Sequence, residues 1–267
     1  MITLIHQPEF MPWMGFFDKL ARSDVFVVYD DVQFEKNGFQ NRNKIMTEHG
    51  WKWLSVPIVH NYPELIKDVK ISGTQWKKDI LNKILFNYKK TPYFEKYYKL
   101  IEEAILADHE LLIDLNLHII RNISEALGIN VKMIRSSEFS YEGEEKNEKL
   151  ISICKSIGSD TYLVGSGGRG YTDEKMFSDA GIKLLWHDYN HPTYKQQFEE
   201  FQPQMSTVDL LFNSGMEAKD TILKGGFISE NIGNLSAPMI FNSGMRPGST
   251  LLKGGVYHEN IGNRRTP

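Results

Sequence analysis

Apolar residues along this chain fall into two patterns, which are short unbroken runs and longer runs with helical spacing. The segment Ile2–Ile5 predicts a short strand, and an unbroken apolar run occurs in the segment DVFVVYDD at residues 24–31. Runs of this kind are typical of strands that are covered on both faces of a parallel sheet. The segment PWMGFFDKLARS at 12–23 lies between them and predicts a turn that enters a short helix. The beginning of the chain therefore predicts a β-α-β unit.

The alternation of strands and helices continues along the chain. The segments at 51–59 and 65–72 predict a third and a fourth strand, and helical spacing predicts three helices within 75–128. Thr91 is placed as an N-cap before Pro92, and Gly128 closes the last of these helices. Further strands are predicted at 131–139, 161–168 and 182–189, with helices at 147–158 and 172–181. The pattern predicts an α/β fold with a mostly parallel, Rossmann-like sheet and a helical insertion at about 75–128.

The C-terminal part of the chain contains a tandem repeat. The segment FNSGMEAKDTILKGGFISENIGN at 212–234 returns 29 positions later as FNSGMRPGSTLLKGGVYHENIGN at 241–263. Two copies are too few for a self-supporting solenoid. We therefore expect an α/β domain at 1–211 and a tail at 212–267, in which each copy adds a hairpin or short helix to the domain or to a neighbouring subunit. Disorder of the last copy is the alternative.

Composition excludes several classes of protein. The 267 residues are 41% hydrophobic and 24% charged with a net charge of −3, which favours an ordinary globular protein over one that binds nucleic acid through its overall charge. The sequence predicts neither a signal peptide nor a membrane span, so we expect a cytoplasmic location. The single cysteine, Cys154, excludes an intrachain disulfide, and its apolar neighbours at helical spacing predict a buried structural thiol.

Polar side chains follow three of the predicted strands, after Ile5, Tyr29 and Val164. Ligands of open α/β sheets bind at these carboxyl ends. His6 and Gln7 follow the first strand and are candidates to contact a substrate phosphate or carbonyl, the alternative being a packed aromatic turn.

Asp30 and Asp31 follow the second strand, where one of them can act as a general base or bind Mg²⁺. Since adjacent side chains of a strand point to opposite faces, we expect one to face the site. The other is expected to pair with Arg42 or Lys44 and so to anchor the loop NRNK at 41–44.

Three further segments carry candidate substrate-binding or catalytic groups. The loop NRNK offers amides and cations that suit sugar hydroxyls and phosphates, and the glycine-rich segment GSGGRGY at 165–171 lets the backbone approach a phosphate. In WHDYNHPTYKQ at 186–196, two histidines are candidates for acid/base chemistry or hydrogen bonding, and no metal site is predicted because a third ligand is missing. The candidates are Asn41, Arg42, Asn43, Lys44, Gly167, Gly168, Arg169, Tyr171, His187 and His191.

Taken together, these segments resemble the WbqC-like family in the same order over about residues 2–215. The resemblance implies a bacterial protein of O-antigen and other surface-glycan biosynthesis, and the second tail copy is extra to the family pattern. The similar segments are HQPEFMPWMGFFDKLARSDVFVVYDDVQFEKNGFQNRNKI, WKWLSVPI, TPYF, YLVGSGGRGYTD, HPTYKQ and MSTVDLLFNSG.

A second resemblance concerns the beginning of the chain. The order of strand, Pro/Gly turn, helix, strand and DDVQF is similar to the nucleotidyltransferase-type Rossmann fold of pantothenate synthetase relatives. Those proteins carry an HxGH motif at the first helix, whereas Gly15 is followed by Phe16 here.

The first functional expectation is an enzyme that transfers an acyl or aminoacyl group onto a nucleotide-linked amino sugar. His6, Asp30, Asp31 and His187 are the candidate catalytic groups. Gln7 and Asn41 are expected to donate hydrogen bonds, and Arg42, Lys44 and Arg169 to hold phosphates. ATP with Mg²⁺ is the expected cofactor if the reaction consumes ATP.

Two alternatives stay open. One is a non-catalytic protein of the same pathway that binds a carrier protein or partner enzyme, with the tail as the docking surface or the contact of a homo-oligomer. The other is a nucleotidyltransferase-like enzyme that uses ATP. A nucleic-acid partner is not expected, because the chain lacks the basic, aromatic-rich stripe that one requires.

Overall fold

The computed structural model describes residues 1–59, 61 and 63–230. The predicted β-α-β unit at the N-terminus is confirmed, and most later elements lie where the hydrophobic pattern places them. The strands are β1 (Ile2–His6), β2 (Val25–Val28), β3 (Arg42–Thr47), β4 (Gly50–Ser55), β5 (Ile58–Val59), β6 (Lys70–Ile71), β7 (Lys132–Arg135), β8 (Thr161–Gly165), β9 (Lys183–Tyr189) and β10 (Gly226–Ser229). The α-helices are α1 (Met14–Ala21), α2 (Gln75–Tyr88), α3 (Phe94–Leu106), α4 (Leu112–Ala126), α5 (Lys146–Ser156), α6 (Glu174–Asp179), α7 (Thr207–Ser214) and α8 (Ala218–Gly225).

A six-stranded sheet in the order β10-β9-β8-β1-β2-β7 forms the centre of the fold. Five strands are parallel, and β10 pairs with β9 in the antiparallel direction at one edge. The mostly parallel α/β fold predicted from the sequence is therefore confirmed. Its central strands are buried on both faces, which explains the mainly apolar sequences of β1 and β8 and the unbroken apolar run of β2.

Helices cover the two faces of this sheet. On one face, α1 packs Phe16, Phe17 and Leu20 into a large core that extends to α2, α3, α4 and α7. On the other face, α5 and α6 contribute a second core that includes Ile153 and Phe177. Cys154 lies in this second core and is fully buried, which confirms the prediction of a structural thiol.

The predictions for the segment between β2 and β7 were partly wrong. Residues 51–55 do not join the main sheet but pair with β3, and the segment predicted as a fourth strand contains only the two residues of β6. The prediction that NRNK forms a loop is also wrong, because Arg42 to Lys44 begin strand β3. Helix α3 begins at Phe94 with Tyr93 as its N-cap, two residues after the predicted start. The three helices predicted within 75–128 are present as α2, α3 and α4, and two antiparallel strand pairs, β3–β4 and β5–β6, precede them.

Residues of the first tail copy lie against the main domain. They form the end of α7, then α8, and β10, which completes the sheet. The second copy, including its predicted contribution to a hairpin, helix or subunit contact, lies outside the described residues. Within the described part of the chain, no helix is long and apolar enough to cross a membrane.

Candidate functional site

The central sheet has one topological switch point. From β1 the chain continues to β2 and β7 on one side, then crosses back to β8 and β9 on the other side of β1. Strands β1 and β8 are therefore neighbours whose connections leave in opposite directions. Ligands of open α/β sheets bind in the crevice that such a pair opens at its carboxyl ends. This crevice is the candidate site, and His6 and Gly165 lie at its base.

Three ionisable side chains meet in the crevice, and sequence reasoning identified only one of them. His6 ends β1, Glu9 follows in the next turn, and Lys19 reaches back from α1. The Lys19 Nζ lies 3.6 Å from the position that a Cβ atom would take on Gly165, so the ammonium spans the gap between β1 and β8. One carboxyl oxygen of Glu9, Oε2, is buried and accepts no hydrogen bond from the described residues.

Burial changes the protonation chemistry of all three groups. Desolvation, with the nearby Lys19 charge, lowers the pKa of His6 to about 3, and the Nδ1 atom donates to the carbonyl of Gln7 at 2.9 Å. Desolvation raises the pKa of Glu9 to about 7, against the opposing effect of Lys19. Desolvation also lowers the pKa of Lys19 to about 8, against the effects of Glu9 and Asp18. Glu9 is thus the group whose proton affinity suits a general base near neutral pH.

A sequence signal for Lys19 does exist in α1. The helix sequence MGFFDKLA contains only two charged residues, Asp18 and Lys19, among apolar residues and one glycine, and the structure buries all of residues 14–20. Charged residues in a short helix of this kind are buried together with its apolar residues, and a buried charge needs a partner or a function. Glu9 gives a weaker signal, because nothing in its turn distinguishes it from a surface acid.

The glycine-rich segment forms one wall of the crevice. Residues Ser166–Gly168 form a 3₁₀ turn after β8, and the helix α6 begins only at Glu174. A Cβ atom on Gly168 would lie 2.3 Å from Val164 Cγ1, so this position requires glycine. Gly167 faces open space instead. The predicted approach of this backbone to a phosphate is compatible with that exposure, and it stays a prediction.

Tyrosines line the part of the crevice that lies beyond β2. Asp31 and Tyr29 both interact with Tyr141, and together with desolvation these contacts raise the pKa of the Tyr141 hydroxyl. The Tyr171 hydroxyl lies 3.7 Å from the Cβ position of Gly168, and the Lys146 Nζ lies 3.1 Å from the centre of the Tyr171 ring. The structure therefore brings Asp31 and Tyr171, both predicted site residues, towards the same edge of the sheet as His6.

The predicted arrangement of the two aspartates was wrong. Strand β2 ends at Val28, so strand alternation does not apply to Asp30 and Asp31, and the Ser136 hydroxyl lies within hydrogen-bond distance of both carboxylates. Asp30 is fully buried and also accepts from Arg135 Nε at 2.6 Å and from the amide and hydroxyl of Ser137. Asp30 thus joins β2 to the end of β7 and does not contact residues 41–44. Its oxygens are already saturated by donors, which does not suit Mg²⁺ coordination.

Two asparagines of NRNK support the backbone around the crevice. Asn43 is buried and donates to the carbonyls of Phe10 and Met11, which fixes the turn after β1. Asn41 donates to the carbonyl of Val56 at 2.9 Å. Gln7 accepts a hydrogen bond from Gln40 Nε2 at 2.7 Å, so the chain before β3 contacts the crevice directly.

Arg42 and Lys44 lie on the outer side of the β3–β4 hairpin. The Arg42 guanidinium stacks 4.3 Å from the centre of the Trp53 ring, and the Lys44 Nζ lies 5.1 Å from Trp51. The Trp51 side chain is 42% exposed. The two cations therefore form a cation–aromatic surface with the tryptophans and do not converge on the β1–β8 crevice.

His187 contacts a buried ionic cluster next to the crevice. Its Nε2 lies 2.6 Å from Asp18 Oδ2, and Arg22 holds the same carboxylate with two nitrogens, at 2.7 and 3.0 Å. Desolvation lowers the pKa of His187, and the Asp18 charge opposes that shift. These contacts tie α1 to β9. The predicted catalytic role of His187 stays a prediction.

Of the remaining two candidates, Arg169 follows β8 and contacts β9, and His191 follows β9. Arg169 donates to Asp188 Oδ2 at 2.5 Å, and its guanidinium lies 5.2 Å from the centre of the Trp186 ring. His191 stacks on Trp13 and has a buried Nε2 with no hydrogen-bond partner among the described residues. Burial lowers the pKa of His191. Within the described part of the chain, no group of three or more His, Cys, Asp and Glu residues could hold a metal ion.

The fold and the crevice define a class of α/β protein in which a buried lysine meets a half-buried acid and histidine at the switch point of a mostly parallel sheet. A family model for the WbqC-like protein family matches residues 7–221, so the chain belongs to this family. An uncharacterized protein of Mycobacterium tuberculosis, Rv1507c, is 34% identical over 220 residues, which cover 81% of this chain and 95% of that protein. No solved structure matches this chain.

Proposed function

We propose that this protein is a group-transfer enzyme of bacterial surface-glycan biosynthesis that moves an acyl or aminoacyl group onto the amine of a nucleotide-linked amino sugar. One observation carries the proposal, which is the half-buried Glu9 at the switch-point crevice, with a buried Oε2 that has no donor among the described residues and a pKa raised to about 7. A reaction of an amine with an activated acyl group requires a base that is half ionised near the working pH. Membership of the WbqC-like family supports a role in surface-glycan biosynthesis, and the groups in the crevice support an acyl or aminoacyl transfer.

In this proposal the sugar amine attacks the carbonyl carbon of an activated acyl donor. A C–N bond forms as the bond to the leaving group breaks, and the amine proton passes to Glu9. Glu9 then returns the proton to the leaving group, which restores the carboxylate. The Lys19 ammonium stabilises the developing oxyanion or a substrate phosphate, because a charge in a desolvated site interacts more strongly than one in water.

His6 has a different role from the one predicted from the sequence. With a pKa lowered to about 3, its imidazole is neutral at the working pH and is a poor proton acceptor. Its Nδ1 proton is held by the Gln7 carbonyl, which leaves Nε2 as a hydrogen-bond acceptor. We assign to His6 the orientation of a donor group of the substrate.

Calorimetric titration with UDP, dTDP and UDP-glucosamine tests the proposal. We expect saturable binding of at least one of them by the wild-type protein, a loss of at least about tenfold in affinity for Lys19→Met, and nearly unchanged affinity for Glu9→Gln. Lys175→Met, on the exposed face of α6, is the matched control and should bind like the wild type. The absence of saturable binding with all three probes would rule the proposal out.

An acylation assay read by mass spectrometry separates the main proposal from the non-catalytic alternative. If the protein binds a nucleotide sugar but does not acylate UDP-glucosamine with acetyl-coenzyme A or with an acyl-carrier thioester, the chain is a binding protein of the pathway. A mass increase of the sugar that requires Glu9 establishes the enzyme.

A further inference from the structure

Residues 212–230 of the first repeat copy fill a docking groove that is formed by α1, β9 and the start of α3. Three glycines make this fit. A Cβ on Gly226 would lie 1.8 Å from Asp18 Oδ2, and one on Gly225 would lie 2.7 Å from the carbonyl oxygen of Asn190. Gly215 has a φ of +56°, and its Cβ would lie 2.4 Å from the Tyr93 ring. Any side chain at these positions would separate the segment from the domain.

Two larger residues anchor the beginning of the same segment. Phe212 is fully buried, with its ring centre 5.2 Å from those of Tyr88 and Phe94, and its carbonyl accepts from the Tyr93 amide at 3.1 Å. Asn213 donates to Gln197 Oε1 and to the carbonyl of Asp209. The docking groove therefore selects an aromatic, an amide and three glycines at fixed spacing.

The second copy carries all five of these residues at the same spacing. They return as Phe241, Asn242, Gly244, Gly254 and Gly255.

The changed positions are mostly compatible with the same groove. The fully buried Ala218 is the first residue of α8 and is replaced by Pro247, which suits a first helical position but loses the hydrogen bond that the Ala218 amide donates to the carbonyl of Gly215. The buried Ile222 is replaced by Leu251. The main misfit is Tyr257 in place of Ile228, which is buried against Leu163 and Leu185.

We propose that residues 241–259 are a second docking segment for the groove that residues 212–230 occupy, and that the two copies exchange within one chain. Exchange requires residues 212–240 to loop out, and the entropy cost of closing a loop grows only slowly with its length. The misfit at Tyr257 keeps the first copy in the groove in the wild-type protein. The second copy then occupies the groove whenever the first is displaced. This inference is independent of the catalytic proposal.

Thermal unfolding of full-length variants tests the exchange. Gly226→Val blocks the first copy, Gly255→Val blocks the second, and the double variant blocks both. We expect Gly255→Val to leave Tm unchanged, Gly226→Val to lower Tm slightly, and the double variant to lower Tm by at least about 5 °C more than the sum of the single effects. Gly170→Val is the control, because Gly170 faces open space. If the double variant has the same Tm as Gly226→Val, the second copy does not use the groove and the proposal fails.

Hydrogen–deuterium exchange provides a direct second measurement. In the Gly226→Val protein, peptides from 241–259 should gain protection while peptides from 212–230 lose it. Unchanged exchange in 241–259 would overturn the proposal. Native mass spectrometry then separates exchange within one chain from exchange between chains: a monomeric Gly226→Val protein supports the proposal, whereas a dimer that forms only in this variant contradicts it.

Discussion

At the scale of single residues, burial separates groups that sequence reasoning treats alike. Asp30 and Asp31 are adjacent in the chain, yet Asp30 is fully buried with its oxygens held by Arg135, Ser136 and Ser137, whereas Asp31 is half-buried beside the tyrosines. Glu9 differs from both aspartates, because one of its carboxyl oxygens is buried with no hydrogen-bond donor among the described residues. A sequence shows which acids lie near a strand end, but the donors that neutralise them come from distant segments.

A pH–rate profile tests the roles of Glu9 and Lys19. Glu9 must be deprotonated to accept a proton, so the rate should rise with pH through about 7. Lys19 must be protonated to stabilise negative charge, so the rate should fall as the pH passes about 8. We expect a narrow bell-shaped profile of kcat/KM for acyl transfer to UDP-glucosamine.

The Glu9→Gln variant should lose most of its activity together with the acidic limb of the profile. Glu199→Gln, at an exposed position, is the control and should keep both limbs. An unchanged acidic limb in the Glu9→Gln protein would show that another group is the base.

At the scale of elements, the central strands and helices could be predicted because their apolar spacing reflects burial by the sheet itself. The hairpin β3–β4 could not be predicted, because some of its polar residues face the interior and others face outward, and no periodicity distinguishes them. Asn43 faces inward to the carbonyls of Phe10 and Met11, while Arg42 and Lys44 face outward onto tryptophan rings. The sequence NRNK therefore predicts a loop, although its last three residues begin strand β3.

The loop after β8 offers a matched pair of glycine substitutions. Gly168→Ala places a methyl group about 2.3 Å from Val164 Cγ1 and must displace the loop from the end of the strand. We expect it to cost about 1–3 kcal/mol of unfolding free energy and to weaken binding of the nucleotide probe. Gly167→Ala meets no atom within 4 Å and should change the unfolding free energy by less than about 0.5 kcal/mol. Urea denaturation and calorimetry of both variants make the comparison, and equal effects would contradict this account of the loop.

At the scale of the whole molecule, segments from both ends of the chain meet at one buried carboxylate. Asp18 in α1 accepts hydrogen bonds from Arg22 and lies 2.6 Å from the Nε2 of His187 in β9. Arg22 in turn donates to the carbonyls of Leu223 and Gly226 near the C-terminal edge of the sheet. No sequence pattern joins residues that are more than 160 positions apart, which is why this junction and the position of His187 could not be predicted.

Asp18→Asn tests whether this junction holds the two ends of the fold together. The substitution removes the buried charge that Arg22 and His187 share, and breaking a buried ion pair costs about 3–5 kcal/mol. Asp179→Asn breaks an exposed pair with Lys175 and should cost less than about 1 kcal/mol. Asp18 joins α1 to β9 and, through Arg22, to α8 and β10. We therefore expect Asp18→Asn to lower the midpoint of one cooperative urea transition. Circular dichroism and tryptophan fluorescence should report the same midpoint. A loss of less than about 1 kcal/mol in the Asp18→Asn protein, equal to that of Asp179→Asn, would contradict a structural role for this junction.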